Sequence, residues 1–181
     1  AAGVDDIGES RVQQLVMRAA EFGAARCDWP TATTLPDGRP RWHMIGHLQR
    51  NKVKALLAHA RIVHSLDSQR LAETLVEHAG AEPVDVLLEV NIANEATKEG
   101  LAPADLPALA DFVARCPKLR LRGLMHIPAP GSGAEVHRRL AGLLQPGMDS
   151  LSMGMSDDLE AAVAAGSTWL RIGTAIFGAR R

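Results

Sequence analysis

The chain contains no tyrosine, and its three Trp and three Phe make up just 3% of its 181 residues. It has two cysteines, Cys27 and Cys116, too far apart for a metal or redox motif, so they read as free thiols of a reducing compartment and favour a cytoplasmic protein. Charge of either sign is not in excess: 20 basic and 21 acidic residues leave a formal net charge of −1, which excludes the electrostatic footprint of a nucleic-acid or anionic-membrane partner. No apolar run is long enough for a membrane helix, and no secretion signal opens the chain. There is no initiator Met. Ala1-Ala2-Gly3-Val4 reads as the end of a helix entering a strand, so the natural protein is expected to begin earlier. Low-complexity tracts and internal repeats are also missing, which leaves one domain across residues 1–181 as the simplest organisation.

What is present is a regular alternation of apolar strand-like runs with amphipathic segments, the pattern of βα units around a parallel sheet. Strands are expected at Val4–Gly8, Trp42–Leu48, Arg61–Leu66, Val84–Ile92, Leu119–Ile127, Met148–Met153 and Trp169–Ile172, seven in all. Helices are expected over 9–22, 51–59, 68–79, 103–115, 134–144 and 157–166, and residues 28–40, with three prolines and Asp37-Gly38, form a loop. Polar or glycine-bearing residues recur at almost every strand end: Ser10, His47, Asp67, Asn91, His126, Ser152 and Gly173. In a doubly wound sheet, ligand groups gather where strand order reverses, whereas every strand of a barrel can contribute. The spread favours an α/β fold of the (β/α)8 TIM type, lacking the first strand and the helix before it.

The most informative stretch is Leu151 to Gly178, one αβ repeat in which both strand ends carry small, hydroxyl-bearing or glycine residues. Gly173 and Thr174 open a turn whose amides and hydroxyl can hold a phosphate, with Ser152 and Ser156 as further donors. Asp157 and Asp158 cap the intervening helix, and their charge would keep a phosphate away from it. Arg171, between Leu170 and Ile172, is expected in a partly dry site, where a ring nitrogen, a carboxylate or a phosphate would each serve as partner; an ion pair with Glu89 or Asp67 is the structural alternative. Glu89 and Asn91 alternate along one strand and share its inward face. His43 reads as packed, His47 as able to touch a ligand and His126 as a solvated loop residue; their spacing builds no metal site, so no metal is expected.

Several segments together, Trp42–Gln49, His64–Ser68, Glu89-Val90-Asn91 with Glu95, Lys98 and Gly100, Gly123-Leu124-Met125 and the whole run from Leu151 to Gly178, resemble the pyridoxal-phosphate homeostasis proteins, small relatives of the alanine racemase barrel. The resemblance implies a (β/α)8 barrel holding pyridoxal 5′-phosphate as a Schiff base on a lysine of its first strand. It further implies that Ser152, Gly173 and Thr174 hold the phosphate and that Arg171 faces the pyridine nitrogen. The matching lysine is expected upstream of Ala1, because none of Lys52, Lys54, Lys98 and Lys118 stands at the corresponding place. The family's Phe-Gly-Glu-Asn reads Ile7-Gly8-Glu9-Ser10 here, and Ser10, shorter than Asn and with one fewer hydrogen-bonding group, is expected to weaken or lose a contact near the cofactor's hydroxyl side. The implied function is a non-catalytic carrier that keeps free pyridoxal phosphate low and delivers it to apo-enzymes, as a monomer or weak dimer. An amino-acid racemase is the alternative, but related racemases use a Tyr as second acid/base and this chain has none. A barrel acting on another phosphorylated metabolite is disfavoured, since the strand ends lack an acidic pair or metal cluster.

Overall fold

The computed structural model describes residues 5–24, 40–93, 98–129 and 131–178. Expectations placed on Cys27, Glu95, Val4 and most of the 28–40 loop lie outside the described residues. Strands β1 (Asp6–Glu9), β2 (Arg41–Met44), β3 (Ile62–Leu66), β4 (Val84–Glu89), β5 (Leu119–Met125) and β6 (Ser150–Ser152) form one parallel sheet in the order of the chain. Between and after them lie helices α1 (Val12–Ala24), α2 (Val53–Leu57), α3 (Gln69–His78), α4 (Leu106–Ala114), α5 (Gly133–Ala141), α6 (Leu159–Ala164) and α7 (Thr174–Phe177). Among the described residues no helix is long and apolar enough to cross a membrane.

One face of the sheet packs against the helices. Val63, Val86, Leu88 and Leu124 meet Leu15, Leu56, Leu75 and Val113 in a continuous aliphatic core. Every one of these side chains is fully buried, and at roughly 1.5–3 kcal/mol for each large aliphatic group this layer is the main source of stability. The opposite face is concave. His64 on β3 and Ser152 on β6 are three strands apart, about 14 Å in a flat sheet at ~4.8 Å per strand, yet their side chains approach to 2.8 Å. The sheet must therefore curl, and it does so around polar groups. Gly123 allows the tight approach of β5 and β6, because a Cβ there would stand 1.8 Å from the Ser150 carbonyl oxygen.

The expected seventh strand, Trp169–Ile172, does not form: Trp169 makes a single parallel bridge to Ser152. Gly154, at φ +94°, turns the chain away directly after β6 and ends the ladder there. Beyond Trp169 one backbone bond remains, from the Arg171 amide to the Gly154 carbonyl at 2.9 Å. Ser167 Oγ meanwhile donates to the Met153 carbonyl at 2.7 Å, replacing sheet bonds with side-chain bonds. Several strands are shorter than expected: β2 stops at Met44, β4 at Glu89 and β5 at Met125, and β6 spans Ser150–Ser152. The expected helix over 51–59 is a 3-10 turn, Arg50–Lys52, running into the five-residue α2.

Candidate functional site

Arg171 lies at the centre of the concave face. Its Nη1 donates to Ser152 Oγ and its Nη2 to the backbone carbonyl of His126, each at 2.8 Å. Burial lowers the guanidinium pKa to about 10, with the charges of Glu89 and Asp158 opposing the shift, so Arg171 stays cationic. Neither Glu89 nor Asp67 forms a direct ion pair with it among the described residues. Two of the five N–H groups of Arg171 are thus committed to protein acceptors, and the other three have none among the described residues.

The sequence-named residues separate into two sets. Ser152 is fully buried, and its Oγ lies within hydrogen-bond distance of both Arg171 and His64 Nδ1. That geometry makes it a support for the guanidinium. Ser156, Gly173 and Thr174 form the second set. Ser156 Oγ accepts the Ala175 amide at 3.1 Å, leaving its own hydroxyl proton available. The amides of Gly173 and Thr174 have no acceptor among the described residues, and a methyl group at Gly173 would meet no atom within 4 Å. Because α7 is a single turn, these amides act as individual donors and its dipole adds little.

Asn91 and Ser10 take other places. The half-buried Asn91 amide donates to the Lys98 carbonyl at 3.3 Å and closes the loop after β4. Ser10 is exposed directly after β1, its backbone so near Gly46 that a Cβ on Gly46 would stand 2.4 Å from the Ser10 carbonyl oxygen. Asp158 stands at the N-cap of α6 without bonding a helix amide. Its Oδ1 takes the Met155 amide at 2.6 Å and its Oδ2 takes His137 Nε2 at 3.0 Å.

The histidines differ most from expectation. His126 is buried, not solvated, and its Nε2 is 2.8 Å from His137 Nδ1. Burial first, then the neighbouring His137 and Arg171, lower its pKa to about 3, so it is neutral at ordinary pH. His43 is packed as expected, but it belongs to a chain of bonds that the sequence did not announce. Its Nε2 meets Asp6 Oδ1 and its Nδ1 meets His64 Nε2, each at 2.9 Å. The strand register accounts for it: His43 pairs with Ile62 across β2 and β3, so His64, two residues on, lies on the same face one diagonal step away. His47 sits at the rim, 3.7 Å from Asp67 and 3.4 Å from Glu99, where these three side chains help line a cavity of about 410 Å³. Glu89 is buried with Oε2 unpartnered, and burial, then Asp67 and Glu99, push its pKa up to about 7 against the pull of Arg171.

With this geometry established, comparison with known proteins is informative. The profile of the family described as alanine racemase, N-terminal domain, matches residues 1–181. The pyridoxal phosphate homeostasis protein of Pseudomonas aeruginosa is 47% identical over 189 aligned residues, spanning 99% of this chain and 76% of that protein. The protein of the same name from Escherichia coli K12 is 50% identical over 151 residues, 77% of this chain and 64% of that one. Among solved structures, PipY of Synechococcus elongatus PCC7942 with PLP bound superposes with a TM-score of 0.76 at 34% identity, covering 94% of this chain and 80% of PipY. An alanine racemase of Clostridium difficile shares the fold at a TM-score of 0.66 and 13% identity, covering 98% of this chain and 46% of the racemase. The chain belongs to the alanine racemase N-terminal domain family and, within it, to the pyridoxal phosphate homeostasis proteins.

Proposed function

We propose that this chain binds pyridoxal 5′-phosphate and acts as a non-catalytic carrier of the cofactor, holding it reversibly and releasing it to apo-enzymes. We extend the curled sheet to a (β/α)8 barrel of the alanine racemase type, forming one domain across residues 1–181. The observation that carries the reading is the pairing of an anchored guanidinium with unfilled donors: Arg171 held by Ser152 and His126, beside the amides of Gly173 and Thr174 and the hydroxyl of Ser156. A planar ring nitrogen suits the first element, and a phosphate dianion suits the second. PipY, solved with PLP bound, adds weight from a relative of the same fold.

When bound, the cofactor supplies an aldehyde and an electron-accepting pyridine ring. Arg171, donating toward the ring nitrogen, keeps that nitrogen unprotonated and the ring a weak electron sink. Ser156 and the Gly173 and Thr174 amides bind and orient the phosphate. His126 and His137 are buried and bonded to each other, and His137 bonds on to Asp158. This arrangement favours storage over turnover.

Titration by absorbance tests the reading. Pyridoxal phosphate is expected to bind, inorganic phosphate to compete with it, and pyridoxal without its phosphate to bind at least ~100-fold more weakly, as several charge-assisted hydrogen bonds are lost. Ser156→Ala is expected to weaken binding by about tenfold, the effect of one such bond. Equal affinity for pyridoxal and pyridoxal phosphate would overturn the phosphate site. Exchange of the α-proton of alanine in heavy water is expected to stay at the uncatalysed rate; appreciable exchange would favour a racemase.

A further inference from the structure

Behind Arg171 runs an unbroken line of hydrogen bonds, buried in the middle and part-buried at both ends, that crosses the concave face from β6 to β1. It passes from Arg171 Nη1 to Ser152 Oγ at 2.8 Å, on to His64 Nδ1 at 2.8 Å, from His64 Nε2 to His43 Nδ1 at 2.9 Å, and from His43 Nε2 to Asp6 Oδ1 at 2.9 Å. His43, His64 and Ser152 are each buried. Trp169 covers the middle of the line, its ring centroid 4.9 Å from that of His43 and 6.1 Å from that of His64. At the far end Arg41 grips the same carboxylate through Nε and Nη2 at 2.7 and 2.8 Å. The charged groups along the line are therefore Arg171 at one end and the Asp6–Arg41 pair at the other.

The two ends fix the direction of every proton between them. A guanidinium can donate and cannot accept, and a carboxylate can accept and cannot donate. With Arg171 donating to Ser152, the serine proton points to His64 Nδ1, His64 donates from Nε2 to His43 Nδ1, and His43 donates from Nε2 to Asp6. All four bonds are satisfied with both imidazoles neutral and no proton left over. Running the imidazoles the other way leaves His43 Nε2, a lone pair, facing a carboxylate unless an extra proton enters. It also leaves the Ser152 proton without an acceptor, next to a cation. In a buried site such a mismatch carries the full desolvation cost of the unmade bond. Burial, then His43 and Arg171, hold the His64 pKa well below its ordinary value, which agrees with a neutral ring.

We propose that Asp6, His43 and His64 are positioning residues: their one-way hydrogen-bond line holds the Ser152 hydroxyl as an acceptor for Arg171 and so fixes the guanidinium opposite the ring nitrogen. The direction of the line stands on the chain's own contacts, while its bearing on the ring nitrogen rests on the proposed function above. Asp6 and His43 touch neither Arg171 nor the ligand, and they act through His64 and Ser152.

The first test needs no ligand. Long-range proton–nitrogen NMR on protein labelled with ¹⁵N-histidine is expected to show His43 and His64 as neutral tautomers with the proton on Nε2. A proton on Nδ1 of His64, or an imidazolium there, would overturn the proposal. The second test uses the chain loaded with pyridoxal phosphate labelled with ¹⁵N in the ring. His64→Phe removes the acceptor for the Ser152 proton. It is expected to weaken binding about tenfold, the worth of one hydrogen bond to a charged group, and to move the ring-nitrogen resonance toward its protonated position. His64→Gln keeps an acceptor and a donor and is expected to restore both readouts. Should His64→Phe fail to fold, Ser152→Ala breaks the line beside Arg171 and is expected to produce the same resonance shift. If the parent binds the cofactor and neither variant moves the ring nitrogen, the positioning role is wrong. If the parent does not bind, the carrier reading fails while the tautomers still decide the line's direction.

Discussion

Arg171→Leu is expected to lower affinity for pyridoxal phosphate by about 100-fold and to destabilise the chain as well. The two losses have separate causes. The first is the donor to the ring nitrogen, a charge-assisted bond whose removal costs roughly 1.5–3 kcal/mol. The second is the orphaning of Ser152 Oγ and the His126 carbonyl, both of which accept from the guanidinium; a buried acceptor left unpaired costs roughly 1–3 kcal/mol. Arg171→Lys separates charge from shape. A single ammonium retains the positive field but cannot reach two protein acceptors and a planar ring in the same fork, so affinity is expected to recover only in small part. Titration and thermal melting of both variants measure the two effects. Parent-like affinity in Arg171→Leu would remove the ring contact from the site.

Glu89→Gln is expected to stabilise the protein, and to do so in a pH-dependent way. The unfolded carboxyl titrates at its ordinary 4.5 and the folded one at about 7, raised chiefly by burial. Between those values the folded state holds a proton that the unfolded state has released, so stability declines as pH rises through this window and levels off above it. The interval corresponds to on the order of 3 kcal/mol at 1.36 kcal/mol per pH unit. Glutamine fills the same space without the charge. At pH 8 its melting temperature is expected to exceed that of the parent by about 6–12 °C, using 2–4 °C per kcal/mol for a domain of this size. Near pH 4 the two curves should converge. A gap that persists unchanged at low pH would show that Glu89 is not the buried acid described above.

Much of the architecture was legible in the sequence because the helix and strand periods are clear where aliphatics dominate. Val84–Glu89 could hardly be anything but a buried parallel strand. The reading failed where local stereochemistry outweighed apolar content. Trp169–Ile172 looks like a strand, but Gly154 with φ +94° removes its neighbour after one bridge. The site was half legible. Arg171, Ser156, Gly173 and Thr174 stand out because small and hydroxylated residues at strand ends have few structural uses. The contacts of Ser152 with Arg171 and His64 were not legible, since they depend on the curl of the sheet. His126 was misread because its burial depends on His137, eleven residues away in α5. Asp6, His43 and His64 were invisible as a set. Each is one polar residue on its own strand, and only the strand order brings them into line.

The contact between His64 and Ser152 joins residues 88 positions apart, and this separation bears on how the molecule assembles. Neighbouring strands such as β3 and β4, joined by the single crossover through α3, can pair as soon as they are made, whereas closing so long a span pays its chain-entropy cost before any reward arrives. The seat for Arg171 is therefore expected to be among the last features completed during folding. A partly folded chain that has already buried its aliphatic layer still has no place to hold a ligand.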